Sequence, residues 1–202
     1  DPQPVTRARK TVDLEVTTTD KAGHRHYMSK EIAEQPGVLA NALKYYTADR
    51  EGRHLIEAGV DFTAYDRIVM VACGTASLAC FVSKYWFEQI ARIPVEIDIA
   101  SEFRYREPPL NTRTLVLFVS QSGETADTLA AMEEARRKGA RQITLCNLPG
   151  TQSARIADST LQIRAGLEIS VAGSKTFVCS LTALYLLAIH IGIRRGTLAP
   201  AT

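Results

Sequence analysis

Leu115-Val116-Leu117-Phe118-Val119-Ser120-Gln121-Ser122-Gly123-Glu124-Thr125 is the stretch that decides the fold. Its apolar residues run on without alternation, the pattern of a strand covered on both faces. Hydroxyl side chains and a glycine then mark a turn, and Glu124 to Lys138 has helical character up to Gly139, a residue suited to a helix C-cap. A buried strand that turns tightly into a helix is one half of a βαβ unit.

The same grammar repeats on either side. Strands are expected at Arg67 to Cys73, Val95 to Ile99, Thr114 to Ser120, Arg141 to Cys146 and Thr160 to Ile163. Between them, Ala76 to Ala91 carries Leu78, Phe81, Val82, Tyr85, Trp86 and Ile90 at helical spacing. The alternation predicts an α/β protein, a three-layer αβα doubly wound five-stranded parallel sheet with right-handed crossovers. Ahead of it, Ile32, Val38, Leu39, Ala42, Leu43, Tyr46, Leu55 and Ile56 suggest an N-terminal helical hairpin, with Pro36 starting or breaking a helix. The expected organisation is a linker or remnant of an upstream domain over 1–22, a helical segment over 23–64 and the α/β domain over 65–202.

Composition narrows the function classes. The 202 residues, 46% hydrophobic and 23% charged, can bury a core and are not a disordered chain. A net charge of +2 with both signs interspersed argues against nucleic acid. Four scattered cysteines without a CxxC pair, and no signal-peptide pattern at the start, point to a reduced, cytoplasmic protein. Phe177 to Ile193 is interrupted by Ser180, Thr182, His190 and Gly192 and falls short of the roughly 18–20 apolar residues of a membrane span. It reads as a buried helix of a soluble domain, with no membrane partner.

Ligands of doubly wound folds bind beyond the carboxyl ends of the strands. There, Ser120, Gln121, Ser122 and Thr125 could bring hydroxyls, an amide and free N–H groups to the start of a helix, a setting that favours phosphate. The simpler alternative is that Ser122 or Thr125 only caps the helix. Glu124 and Asp127 would repel a phosphate if they faced it, and so should point sideways. At the neighbouring turn Cys73-Gly74-Thr75, Cys73 reads as a small buried residue rather than a nucleophile. Gly173-Ser174-Lys175-Thr176 fails the Walker A spacing, no GxGxxG follows a strand, and Lys175 reads as a solvated or packing residue. His24 and His26 lack a carboxylate cluster, and neither a catalytic metal nor a cofactor is expected.

The chain also carries His26-Tyr27-Met28, Lys30-Glu31-Ile32, Glu34-Gln35-Pro36, Cys73-Gly74-Thr75, Ala100-Ser101-Glu102-Phe103-Arg104-Tyr105-Arg106, Ser120 to Thr128, Ala165-Gly166 and Glu168-Ile169. With these it resembles the isomerase part of the glutamine-dependent fructose-6-phosphate aminotransferases (glucosamine-6-phosphate synthases), specifically the first of two sugar isomerase (SIS) subdomains. The resemblance covers nearly everything after about residue 21. It implies an SIS fold, Ser120, Gln121, Ser122 and Thr125 as phosphate ligands, Thr75 as a ligand at the neighbouring turn, and Val171 as a backbone contact to the sugar. Ala76 and Gly173 stand where the family often has serine, each removing a possible hydroxyl contact.

The resemblance further implies that residues 1–22 belong with an upstream glutaminase domain. A second SIS half would supply the carboxylate, histidine and lysine that act on the sugar. No catalytic residue is therefore expected within this chain, which should bind fructose 6-phosphate or glucosamine 6-phosphate without completing the reaction. Competing expectations are a stand-alone single-SIS phosphosugar isomerase and a noncatalytic sugar-phosphate sensor acting through a protein partner. A homodimer is expected in each case.

Overall fold

The unbroken apolar runs at 68–72 and 115–119 become strands in the computed structural model of the chain, which describes residues 19–48 and 60–199. β1 (Arg67–Ala72), β2 (Val95–Ile99), β3 (Thr114–Ser120), β4 (Arg141–Cys146) and β5 (Ser159–Gln162) form one sheet in the order β2-β1-β3-β4-β5. Every pairing is parallel. β2, β3 and β4 have the predicted limits. β1 stops at Ala72 because Cys73 already serves as the N-cap of α2 (Gly74–Trp86), and β5 is shifted one residue toward the N-terminus.

β3 is buried along its whole length because helices cover both faces of the sheet. Ile68, Met70, Leu115 and Leu117 point to the layer made by α1 (Tyr27–Thr47), α2 and α6 (Lys175–Arg194). Val69, Val71, Val116 and Phe118 point to α3 (Ala100–Phe103), α4 (Ala126–Arg137) and α5 (Gln152–Ile156). The three-layer αβα arrangement is thus the expected one. Each fully buried Val, Leu or Phe of the central strands contributes about 1.5–3 kcal/mol. At the far end of α4, Gly139 takes the left-handed conformation, φ +73°, that its position after the helix demanded.

The helices depart from the sequence reading in two places. Pro36 lies inside α1 rather than starting or breaking it. It is exposed, and Ile32, whose carbonyl loses a donor there, is itself 52% exposed, so water can take that carbonyl. Ala42 and Tyr46 hold the helix to the body, the Tyr46 hydroxyl donating to the Gln162 carbonyl at the end of β5. The expected second arm of the hairpin, with Leu55 and Ile56, falls within 49–59, outside the described residues.

The second departure is the extent of α2, which starts at Gly74 rather than Ala76 and ends at Trp86 rather than Ala91. Leu78, Phe81, Val82 and Tyr85 point outward, 41–61% exposed, and the buried side is Ser77, Ala79, Cys80 and Ser83. Those small residues let the helix lie close to the sheet; the Ser83 hydroxyl sits 3.6 Å from the Met70 sulfur. The helix then loosens into a π-helical turn over Phe87–Ala91. α6 is long and apolar enough to cross a bilayer by length and composition. Instead Cys179, Ala183, Leu184, Leu187, Ala188 and Ile191 are buried against the body of the protein, as expected for a core helix.

Candidate anion-binding site

β2 lies on one side of β1 and β3 on the other, so the chain's winding reverses between β1 and β3. Loops leaving the carboxyl ends of such a pair diverge and open a crevice. Here the crevice is a cavity of about 210 Å³. Thr75, Ser120, Gln121, Ser122, Thr125 and Val171 all line it. The structure therefore brings the residues expected to bind phosphate and sugar to one place, although Val171 exposes its side chain completely.

The hydroxyl-rich turn is internally ordered. Ser120 Oγ accepts the Gly123 N–H at 3.1 Å and lies 3.4 Å from Thr125 Oγ1, while Ser122 Oγ accepts the Glu124 N–H at 3.2 Å. Thr125 occupies the N-cap of α4, yet no side chain caps that helix. Simple capping is therefore not what its hydroxyl does. Gly123 adopts φ +65°, and a Cβ there would lie 2.6 Å from Ser153 Oγ and 2.7 Å from Thr151 Cβ. The next loop supports the turn from beneath: Ser153 N–H donates to the Gly123 carbonyl and Asn147 N–H to the Gln121 carbonyl, both at 3.1 Å.

The nearby acids are turned aside, as expected. Glu124 accepts the Gln152 N–H at 2.8 Å, and Asp127 pairs with Arg104 at 2.8 Å. Helix ends make up the remaining field. α2 and α4 begin at the cavity without a side-chain cap, so their N–H groups and positive dipole ends stay available. α6 differs: buried Glu168 accepts the N–H groups of Ser174, Lys175 and Thr176 at 2.8, 2.9 and 3.3 Å, and the Thr176 hydroxyl as well. A carboxylate already matches that terminus. Among the described residues no Asp, Glu, His, Lys or Arg lines the cavity, so an anion there would be held by hydroxyls, N–H groups and dipoles.

Sequence reading passed over several contributors. Thr128 Oγ1 is buried, lacks a hydrogen-bond partner and lines the cavity; its place one helical turn beyond Thr125 was the available signal. Asn147 ties the loops together, donating to the Gly166 carbonyl at 2.5 Å and accepting the Ala165 N–H at 2.9 Å. Nothing in the local sequence marks that role. Lys175 is not solvated: it is 3% exposed and paired with Glu34 at 2.6 Å. Cys73 is half-buried at the cavity wall. Burial pushes the Cys80 thiol up to about 12 and the Cys179 thiol up to about 11, keeping both protonated. Ala76 and Gly173 line the cavity too, and a Cβ on Gly173 would lie 2.9 Å from Thr176 Oγ1. Among the described residues no three His, Cys, Asp or Glu side chains gather as a metal site would require.

Comparison with known proteins follows the same residues. The sequence profile of the SIS domain matches residues 62–190. Glutamine–fructose-6-phosphate aminotransferase [isomerizing] of Brucella abortus is 46% identical over 197 residues, which are 97% of this chain and 32% of that protein. The enzyme of the same name from Bradyrhizobium diazoefficiens is 49% identical over 182 residues, 89% of this chain and 30% of that one. In structure, the C-terminal domain of glucosamine-fructose-6-phosphate aminotransferase from Francisella tularensis superposes with a TM-score of 0.81 at 35% identity, covering 89% of this chain and 52% of that one. The chain thus spans about a third of the length of these curated relatives.

Proposed function

Because the chain belongs to the SIS domain family, we propose that it is the sugar-phosphate-binding half of an enzyme that makes glucosamine 6-phosphate from fructose 6-phosphate and glutamine-derived ammonia in the cytoplasm. In this reading Ser120, Gln121, Ser122 and Thr125 hold the phosphoryl group, with Thr128 Oγ1 as a further donor beneath it. Thr75 and the Val171 backbone meet the sugar. Residues 65–199 form the binding domain, and α1 braces it from within the N-terminal segment. The observation that carries the reading is the cavity itself: clustered hydroxyls at two helix N-termini free of side-chain caps, with neighbouring acids paired elsewhere. A hydrogen bond to a charged phosphate contributes about 1.5–3 kcal/mol, so removing one donor should weaken binding roughly ten- to hundredfold.

Binding and turnover separate chemically. Amination at C2 followed by proton transfer between C1 and C2 needs a positioned acid and base. Among the described residues the cavity wall offers no carboxylate, imidazole or amine. In this reading the chain alone binds the sugar phosphate and the acid–base groups come from the rest of a longer enzyme. Thermal-shift measurements with fructose 6-phosphate, glucosamine 6-phosphate and unphosphorylated fructose test it. Both phosphorylated sugars should raise the melting temperature and fructose should not, and Ser122→Ala should need at least tenfold more ligand for the same shift. Equal shifts with fructose would defeat the proposal. Robust glucosamine 6-phosphate formation by the isolated chain with ammonia would defeat its inactivity.

Self-association belongs to the same reading. The outward stripe of Leu78, Phe81, Val82 and Tyr85 on α2 is the kind of surface that a second copy covers in a homodimer.

A further inference from the structure

We propose that α1 is a clamp that positions the sugar side of the cavity through Glu31 and Glu34, leaving the phosphoryl side to be organised by the sheet. This rests on the sugar-phosphate reading above. The segment between Gln162 and Lys175 forms no helix or strand, yet it carries Val171 and Gly173 into the cavity wall. Its backbone donors must therefore find partners outside a ladder. Glu31, only 2% exposed, accepts the Ile169 N–H at 2.6 Å and the Ser170 N–H at 3.3 Å. At the other end of the segment Glu34 takes the buried Lys175 ammonium at 2.6 Å and stands 3.6 Å from Lys30 on its own helix. Two carboxylates one helical turn apart on α1 thus hold the sugar loop at its middle and at its exit into α6.

The hydroxyl-rich turn takes its support elsewhere. Asn147, Gln152 and Ser153 hold Gln121, Glu124 and Gly123, and all three come from the loop after β4 or the start of α5. The two halves meet at the start of the sugar loop, where the Gln121 amide donates to the Glu168 carbonyl at 3.4 Å and Asn147, which holds Gln121, also donates to the Gly166 carbonyl and accepts the Ala165 N–H. Loosening α1 should free the loop bearing Val171 while the phosphoryl donors stay in place. Burial pushes the Glu31 carboxyl up. The hydrogen bonds from Ser170 and Ile169 and the Lys175 charge outweigh that effect and hold it below the ordinary glutamate value, so Glu31 is charged at neutral pH.

Glu31 and Glu34 are positioning residues, and a ligand-selectivity ratio isolates that role. Calorimetric titration of the 202-residue chain with inorganic phosphate and with fructose 6-phosphate should show the sugar phosphate binding more tightly. Glu31→Gln and Glu34→Gln should lower fructose 6-phosphate affinity tenfold or more and change phosphate affinity less than twofold, and Glu31→Asp should restore part of the loss. Parallel loss of both ligands, or loss of neither, overturns the clamp. Hydrogen exchange read without ligand decides it independently. The amides of Ile169 and Ser170 should be protected in the parent and exchange faster in the variants, with 120–125 unchanged. Unaltered exchange at those two amides also overturns it. A parent chain that binds neither ligand would sink the sugar-phosphate reading instead, and leave exchange to judge the clamp. Glu34 is partly exposed, so its variant serves if Glu31→Gln does not fold.

Discussion

Gly123 shows how little freedom the site has at the scale of a residue. Its left-handed φ of +65° disfavours any side chain, and the space a Cβ would need is taken by Thr151 and Ser153. Gly123→Ala should therefore lower the melting temperature, by roughly 1–3 kcal/mol of stability, and abolish the ligand-induced shift; both are read in one thermal-shift titration. The need for a glycine at that turn was legible from its place between a strand and a helix. The supporting Thr151 and Ser153 were not, because they arrive from another loop. His190 illustrates the opposite case. It stood alone in the sequence, yet in the fold it is half-buried, its ring centroid 6.1 Å from that of Phe62. Burial, with a smaller effect of Arg194, holds its pKa below the ordinary value. With the folded pKa depressed, the stability tied to the neutral ring is present above about pH 6.5 and lost as pH falls through the folded pKa. Melting curves between pH 7.5 and 5 should show this decline, and His190→Phe should flatten it.

At the scale of elements, α1 contradicts its own proline. Helix propensity placed a break at Pro36, and the helix runs through because tertiary contacts on the opposite face outweigh it. Ala42 and Tyr46 are buried, and Glu31 and Glu34 are engaged with the loop before α6 and with α6 itself. Because Pro36 is exposed, Pro36→Ala should restore a backbone hydrogen bond without disturbing a packed surface. It should stabilise the chain by up to about 3 kcal/mol, seen as a higher denaturant midpoint with unchanged slope. α2 teaches a related lesson. Its large apolar residues at helical spacing identified the helix, and the sheet takes its small face of Ser77, Ala79, Cys80 and Ser83. Periodicity identifies a helix and an apolar side. It does not say whether that side meets the protein's own core or another surface.

At the scale of the whole molecule, that outward stripe is the surface on which the proposed homodimer is tested. Phe81→Asp on α2 should convert a dimer to a monomer in sedimentation equilibrium while leaving the melting temperature of the monomer within about 0.5 kcal/mol of stability, as for other exposed substitutions. An unchanged mass would remove α2 from the interface. The sequence by itself determined the parallel sheet, since short apolar runs rich in β-branched residues, bounded by turn residues and alternating with helical stretches, are the pattern of strands covered on both faces. It also determined which loop holds the hydroxyls, because a strand's carboxyl end followed by a helix start is a local pattern. Only the tertiary structure decided which carboxylates steer that site. Glu168 closes the start of α6, Glu124 and Asp127 are drawn aside, and Glu31 and Glu34 reach across from α1. Those pairings join residues far apart in the chain. Their energies depend on distance and burial, and neither quantity exists until the layers have packed.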